Sequence, residues 1–206
     1  VALLFAGSTA QAGFTYPDFT DTTGLVLNGD AAVDGDALAI TPATNNTVGS
    51  AWYDAVQPMN LNWTTTFEFQ ISPVNGGNGG ADGMLFVIQN DAAGTAALGP
   101  GGGAKGYEGI TNSVAIGFNT YSSDDMVLYT GGSMTALTTT DVLWLEGTPN
   151  TMEATISYEY NATTPGDSLL TFSVIDPMGG YAETTLTYNM DIPTIVGGTD
   201  ATLGFT

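Results

Sequence analysis

The feature that most constrains this chain is hydrophobic alternation with a period of two, repeated in many short segments. Phe67, Phe69 and Ile71 fall on one face of the run 66–71, and Val114, Ile116 and Phe118 do the same in 113–121. Ile156, Tyr158 and Tyr160 repeat the pattern, as do Leu170, Phe172 and Val174, then Leu186 and Tyr188. Such spacing puts apolar side chains on one side of a strand and polar ones on the other. The run 84–89 (MLFVIQ) is apolar almost throughout, as expected of a strand covered on both faces. Turn-forming pairs separate the segments: Asn28-Gly29, Asp34-Gly35, Asn75 to Gly80, Gly99 to Gly103, Gly131-Gly132, Pro165-Gly166 and Gly179-Gly180. No amphipathic helix and no internal repeat emerges. An all-β sandwich or jelly roll is therefore expected. The 206 residues suit a single domain, and no Pro/Ser-rich linker divides them.

Charge narrows the function. There are 21 acidic residues and one basic residue, Lys105, for a net charge of −20. Phosphate backbones are bound through Lys and Arg, so nucleic acid is excluded as a partner, and anionic membrane surfaces are disfavoured. The acidity keeps an exported protein soluble, and it makes divalent cations such as Ca²⁺ acceptable partners. The chain has no His and no Cys. Ser-His-Asp and Cys-His catalysis are removed, with zinc sites built from those ligands and all disulfides.

The N-terminus, VALLFAG followed by STAQA, reads as the end of a secretory signal peptide with a small-x-small cleavage pattern at Ala10-Gln11-Ala12. The expectation is a signal segment over 1–12, a mature domain over 13–206 beginning near Gly13, and a secreted or cell-surface location. No other run approaches membrane-spanning length.

Four stretches, in order, resemble the legume-lectin-like (L-type lectin) family, particularly its bacterial exported members. They are GADGMLFVIQN (80–90), TAALGPGGGAKGYEG (95–109), NSVAIGFNTY (112–121), and the ending DIP (191–193) with LGFT (203–206). The resemblance covers about residues 14–206. It implies a concanavalin-like β-sandwich (jelly roll) of two large antiparallel sheets, with glycan or polysaccharide bound non-covalently by loops at the edge of the concave sheet. It also implies a fourth recognition loop beyond Thr206.

The resemblance implies roles residue by residue. Asp82 corresponds to the family's sugar-binding Asp, an acceptor for two sugar hydroxyls, and a cis peptide bond is expected at Ala81–Asp82. Gly103, with Gly102 beside it, corresponds to the glycine whose N–H donates to the sugar. Tyr107, in the same loop, and Tyr121 are expected to stack on the sugar face. Ser123 stands where the family has an Asn serving both metal and sugar. The family's paired metal carboxylates fall at Gly117 and Asn119, and its histidine ligand has no counterpart. Loss of two carboxylates removes most of the charge that holds a hard divalent cation. No cofactor is required by this reading. One weak Ca²⁺ site from Asn119, the Tyr121 carbonyl, Asp124 and Asp125 is the residual expectation.

Other candidates carry less. Asp30, Asp34 and Asp36 lack the spacing and closing Glu of a calcium loop and read as turns. The Glu-x-Asp-x-x-Glu signature of glycoside hydrolases on related folds is absent. Glu153 and Glu159 lie far apart along one strand, and Glu68 is alone. No enzymatic activity is expected. Trp52, Tyr53, Trp63 and Trp144 sit on apolar runs and read as core. Asn45, Asn62 and Asn161 begin N-x-Thr sequons. The alternative to sugar binding is a structural or adhesive surface module that retains the scaffold with a degenerate metal site.

Overall fold

The protein is described here from a computed structural model. It describes residues 3–5, 13–71, 80–121, 123–142, 144–145 and 151–206. The turn at Asn75 to Gly79 and the segment 6–12 lie outside the described residues.

Two antiparallel sheets form the body. The smaller contains β1 (Leu3–Phe5), β2 (Thr15–Tyr16), β8 (Trp63–Phe69), β13 (Met152–Glu159), β14 (Leu169–Ile175) and β15 (Thr184–Asn189), in the order β15-β14-β13-β8-β1-β2. The larger is built from β3 (Leu25–Gly29), β6 (Gly49–Tyr53), β9 (Gly83–Gln89), β10 (Ser113–Asn119), β11 (Asp125–Thr130), β12 (Thr138–Asp141) and β16 (Asp200–Phe205). Its order is β12-β11-β10-β9-β16-β6-β3, with β7 (Gln57–Pro58) pairing β16 at one end. A hairpin of β4 (Ala32–Asp34) and β5 (Ala37–Ala39) stands apart. Sequence-distant strands lie side by side, as closing a jelly roll demands.

The alternation read from the sequence is what fills the space between the sheets. Phe67 and Phe69 of β8, Ile156 and Tyr158 of β13, and Phe172 and Val174 of β14 are buried against Phe86, Phe118 and Phe205 of the larger sheet. Phe67 meets Phe205 edge-on at 4.9 Å between ring centroids, and Phe69 lies 4.7 Å from Phe118. Tyr160 and Tyr188 are partly buried at the margin. Trp52 and Trp144 are buried, as the apolar runs imply, while Tyr53 and Trp63 are half-buried.

The larger sheet is covered on its second face as well. There Trp52, Leu85, Val87, Ala115, Val127 and Tyr129 pack with Ala97, Tyr107 and Ile110 from the segment between β9 and β10. Polar side chains of the sheet pin that segment. Trp52 Nε1 and Ser50 Oγ both donate to the Ala97 carbonyl (2.8 and 2.9 Å). Gln89 Nε2 donates to Gly94 O (2.9 Å), and Asn28 Nδ2 to Thr95 O (2.9 Å). Burial of these donors is offset only because each finds an acceptor. These bonds tie the stretch 94–97 to one end of the sheet.

One short helix, α1 (Ile192–Val196), departs from the all-strand expectation. Asp191 caps it, accepting from Thr194 N and Thr194 Oγ1 (3.2 and 2.6 Å), and Pro193 suits its first turn. Gly197, at φ +74°, ends it in the left-handed region. At five residues it was too short for periodicity to reveal. Among the described residues, no helix is long and apolar enough to cross a membrane. Leu3–Phe5, inside the segment expected to be a signal peptide, pairs with β8 and β2.

Candidate functional site

The site is assembled where β9, β10 and β11 share one end. Antiparallel register places Gly83 opposite Asn119, and Asn119 opposite Asp125. Adjacent strands are about 4.8 Å apart, so Gly83, Asn119 and Asp125 lie in a row across three strands, and Asp82 comes one residue earlier, its carbonyl accepting from Thr120 N (3.4 Å). The peptide bond Ala81–Asp82 is cis, as the resemblance implied. Gly83 follows with φ +118°, and a side chain there would strike the Phe118 carbonyl. Only glycine lets the turn lie this close to β10.

The segment 99–109 forms the opposite wall. Gly99 N donates to Gly106 O (2.6 Å), Gly106 N to Pro100 O (2.8 Å), and Lys105 N to Gly102 O (2.7 Å). Gly102 has φ +65°, and a Cβ added there would lie 3.8 Å from Asp82 Oδ2. Gly103 borders open space. Gly102 is thus the glycine facing the carboxylate, and Gly103 is its exposed neighbour. The two segments border a broad groove of about 1070 Å³ that Asp82, Gly101, Gly102 and Lys105 line at one end and that also runs along the stretches 36–49 and 68–71. Asp82 is half-buried at its edge.

Tyr107 corrects an expectation. Its ring is wholly buried in the second core, and no sugar can stack on it. Its hydroxyl accepts from Gly132 N (3.1 Å) and bonds Ser113 Oγ (2.8 Å), which itself donates to Ile110 O (2.5 Å). Burial raises the phenol pKa above its ordinary value, against those two hydrogen bonds. Tyr107 therefore anchors the loop from beneath. Tyr121, by contrast, is 67% exposed.

Several of the residues expected to bind a cation are hydrogen-bonded to one another, while Asn119 Oδ1 is buried with no hydrogen-bond partner among the described residues. Asn119 Nδ2 donates to Asp125 Oδ1 (2.8 Å) and to the Tyr129 hydroxyl (3.3 Å). Ser123 Oγ donates to Asp125 Oδ2 (2.8 Å). Asp124 turns to a different partner, accepting from Leu145 N (2.8 Å). At Gly117 there is no donor atom, and a Cβ there would sit 2.8 Å from Val127 Cγ1. Among the described residues, no three Asp, Glu, His or Cys side chains group as a cation site. A glycine in an apolar cradle, and two carboxylates with different partners, do not supply the paired carboxylates of the family's two-metal pattern.

Sequence reasoning overlooked Lys105 as a site residue. Its backbone is left-handed (φ 51°), its Nζ donates to Gly103 O (3.3 Å), and it lies 6.0 Å from the Tyr129 ring centroid. Burial pushes the ammonium pKa down, while the carboxylates of Asp82 and Asp125 push it back up. Burial likewise raises the Tyr129 phenol. The signal was present: the one cation of the chain falls in the loop that carries the glycine tract.

Comparison with known proteins agrees with this geometry. The sequence matches the legume lectin domain over residues 11–206. It is 31% identical over 128 residues to a lectin of Pisum sativum, a match taking in 55% of this chain and 45% of the pea protein's length. Among solved structures, the lectin from Bauhinia forficata in complex with GalNAc superposes with a TM-score of 0.75 at 22% identity, covering 93% of this chain and 88% of that one. The Lotus tetragonolobus seed lectin gives 0.74 at 23%, with the same coverages of 93% and 88%. At these identities the structural matches establish the fold.

Proposed function

The chain belongs to the legume lectin domain family, and from that premise we propose that it recognises glycans non-covalently at the Asp82–Gly102 groove. The family is one of non-enzymatic carbohydrate-binding proteins, which accounts for the missing catalytic carboxylate pair. The observation that carries the reading is the pairing of Asp82 with Gly102. A half-buried, acceptor-only carboxylate faces a backbone with no side chain in the way. Sugar hydroxyls would donate to Asp82 and accept from the Gly102 or Gly103 N–H, while the exposed Tyr121 ring offers an apolar face. Asp82→Ala should abolish binding on a glycan array while leaving the circular dichroism spectrum unchanged. Undiminished binding by that variant would refute the site.

A second reading is favoured by the donor arrangement around Gly117 and Asn119. A chain whose cation ligands are gone could serve as a structural or adhesive module on the same scaffold. Absence of any glycan signal from the wild-type chain, with or without calcium, would select it. Under either reading we propose export, with cleavage after Ala12. Mass spectrometry of the protein recovered outside the cell tests this, with Gly13 as the expected first residue.

A further inference from the structure

The acidic stretch 30–36 reads as turns in the sequence, and in the structure it divides in two. Asp30 is a structural group: its Oδ2 accepts from Val48 N and its own N donates to Val48 O, both at 2.8 Å. These bonds tie the entry to the β4–β5 hairpin to the stretch 41–48. Asp34 and Asp36, at the hairpin turn, are exposed and line the groove, as does Glu68 of β8. With Asp18 and Asp82, the described lining carries five carboxylates against one ammonium, Lys105. That ammonium is the one side-chain cation of the chain, and it lies at the Asp82 end, donating to Gly103 O (3.3 Å). The carboxylates along the rest of the groove are left without a cationic side chain. A concave surface of one sign of charge concentrates ions of the opposite sign and turns away its own. Size and polarity add to this. Pockets that take one small molecule measure about 300–1,000 Å³, and this groove, at about 1070 Å³, exceeds them. Between its two ends, exposed Thr41, Thr44, Asn45 and Asn46 line it with hydroxyls and amides suited to sugar hydroxyls. Thr206 also lines it, is 4% exposed, and holds a buried hydroxyl with no hydrogen-bond partner among the described residues. Such a group calls for a polar atom from a ligand.

We propose that the groove takes an oligosaccharide bearing protonated amino groups, with one sugar at Asp82 and Gly102 and the ammonium groups of the following sugars against Asp36 and Glu68. This rests on the glycan reading for the Asp82 end, and adds to it the length and the charge of what is bound. Chains bearing uronate or sulfate groups are repelled by the same lining.

The test is calorimetric titration of the whole chain at mildly acidic pH, where amines hold their protons and carboxylates have lost theirs. Three probes of equal length are compared: a glucosamine oligomer with free amines, the same oligomer fully N-acetylated, and a galacturonate oligomer. The free-amine oligomer should bind about tenfold more tightly than the N-acetylated one, and the galacturonate oligomer should not bind. Concentrated salt should close the tenfold gap. In the double variant Asp36→Asn, Glu68→Gln, both side chains are exposed and keep their size, so its melt should match wild type. Its ratio of free-amine to N-acetylated affinity should fall toward one. Asp82→Ala should bind neither oligomer. An N-acetylated oligomer that binds as tightly as the free-amine one would overturn the proposal and leave the glycan reading standing. So would a double variant that melts like wild type and keeps the tenfold ratio. Free-amine oligomer taken up undiminished by Asp82→Ala would show attraction by net charge alone, which also overturns it. A wild-type chain that binds none of the probes and gives no glycan-array signal removes the glycan reading and this proposal together.

Discussion

Replacing Tyr107 with Phe removes one oxygen atom and leaves the ring in place. That oxygen accepts from Gly132 N at 3.1 Å and bonds Ser113 Oγ at 2.8 Å. Because Ser113 Oγ donates to Ile110 O, the Tyr107 hydroxyl must be the donor toward Ser113. In the variant, the Gly132 N–H is left buried without an acceptor, and Ser113 Oγ loses a donor. One unsatisfied buried group costs about 1–3 kcal/mol. Taking the middle of that range, and a sensitivity of about 2–4 °C per kcal/mol for a domain of this size, Tyr107→Phe should melt about 4–8 °C lower. Differential scanning calorimetry reads this directly. Glycan affinity below the transition should change by less than about twofold, since the ring never faces the groove. An unaltered melting temperature would refute the hydrogen-bond accounting. An unaltered melting temperature with lost glycan affinity would return Tyr107 to the sugar site and refute its assignment as an anchor.

Two other perturbations probe the frame. Phe118→Ala removes a ring that packs on both Phe67 and Phe69, and should cost about 3–5 kcal/mol in chemical denaturation, with the fold kept if calorimetry still shows one transition. Asp91 accepts from Thr111 Oγ1, Ala93 N and Thr111 N, and these hydrogen bonds, the Thr111 side chain foremost, hold its pKa below the ordinary carboxylate value. A depressed folded-state pKa stabilises above the unfolded value of about 3.9 and is lost as pH falls through the folded one. The stability gap between wild type and Asp91→Asn should therefore be constant near neutrality and close below about pH 4. A gap that persists unchanged at pH 2 would contradict this.

Much of the frame is local in origin. The face that β8, β13 and β14 bury follows from side-chain alternation, and a one-residue slip in any one of these strands would turn its buried residues, such as Phe67, Ile156 or Phe172, to the outer face. The run 84–89 is apolar on both faces because the large sheet is covered twice, once by its partner sheet and once by the segment carrying Ala97 and Tyr107. The candidate Asp82 was legible because its surrounding stretch resembles a family motif, and its cis bond came with it.

What the amino-acid order alone determined is therefore the all-β class and the strand faces; the segment holding the groove carboxylate, and Gly117 and Asn119 standing where the family has carboxylates, came through the family resemblance. Tertiary structure decided which loop residues face that groove. Tyr107 and Lys105 stand two positions apart in one polar, glycine-rich loop, yet the first turns into the core and the second lines the groove that Asp82 also lines. Nothing in the loop's own composition distinguishes them. The difference arises because β9, β10 and β11 align Gly83, Asn119 and Asp125 across long stretches of chain, and Ser113 and Gly132 offer the tyrosine hydroxyl its partners. Those contacts exist only once the strands are in register, and register is a property of paired strands rather than of any single segment.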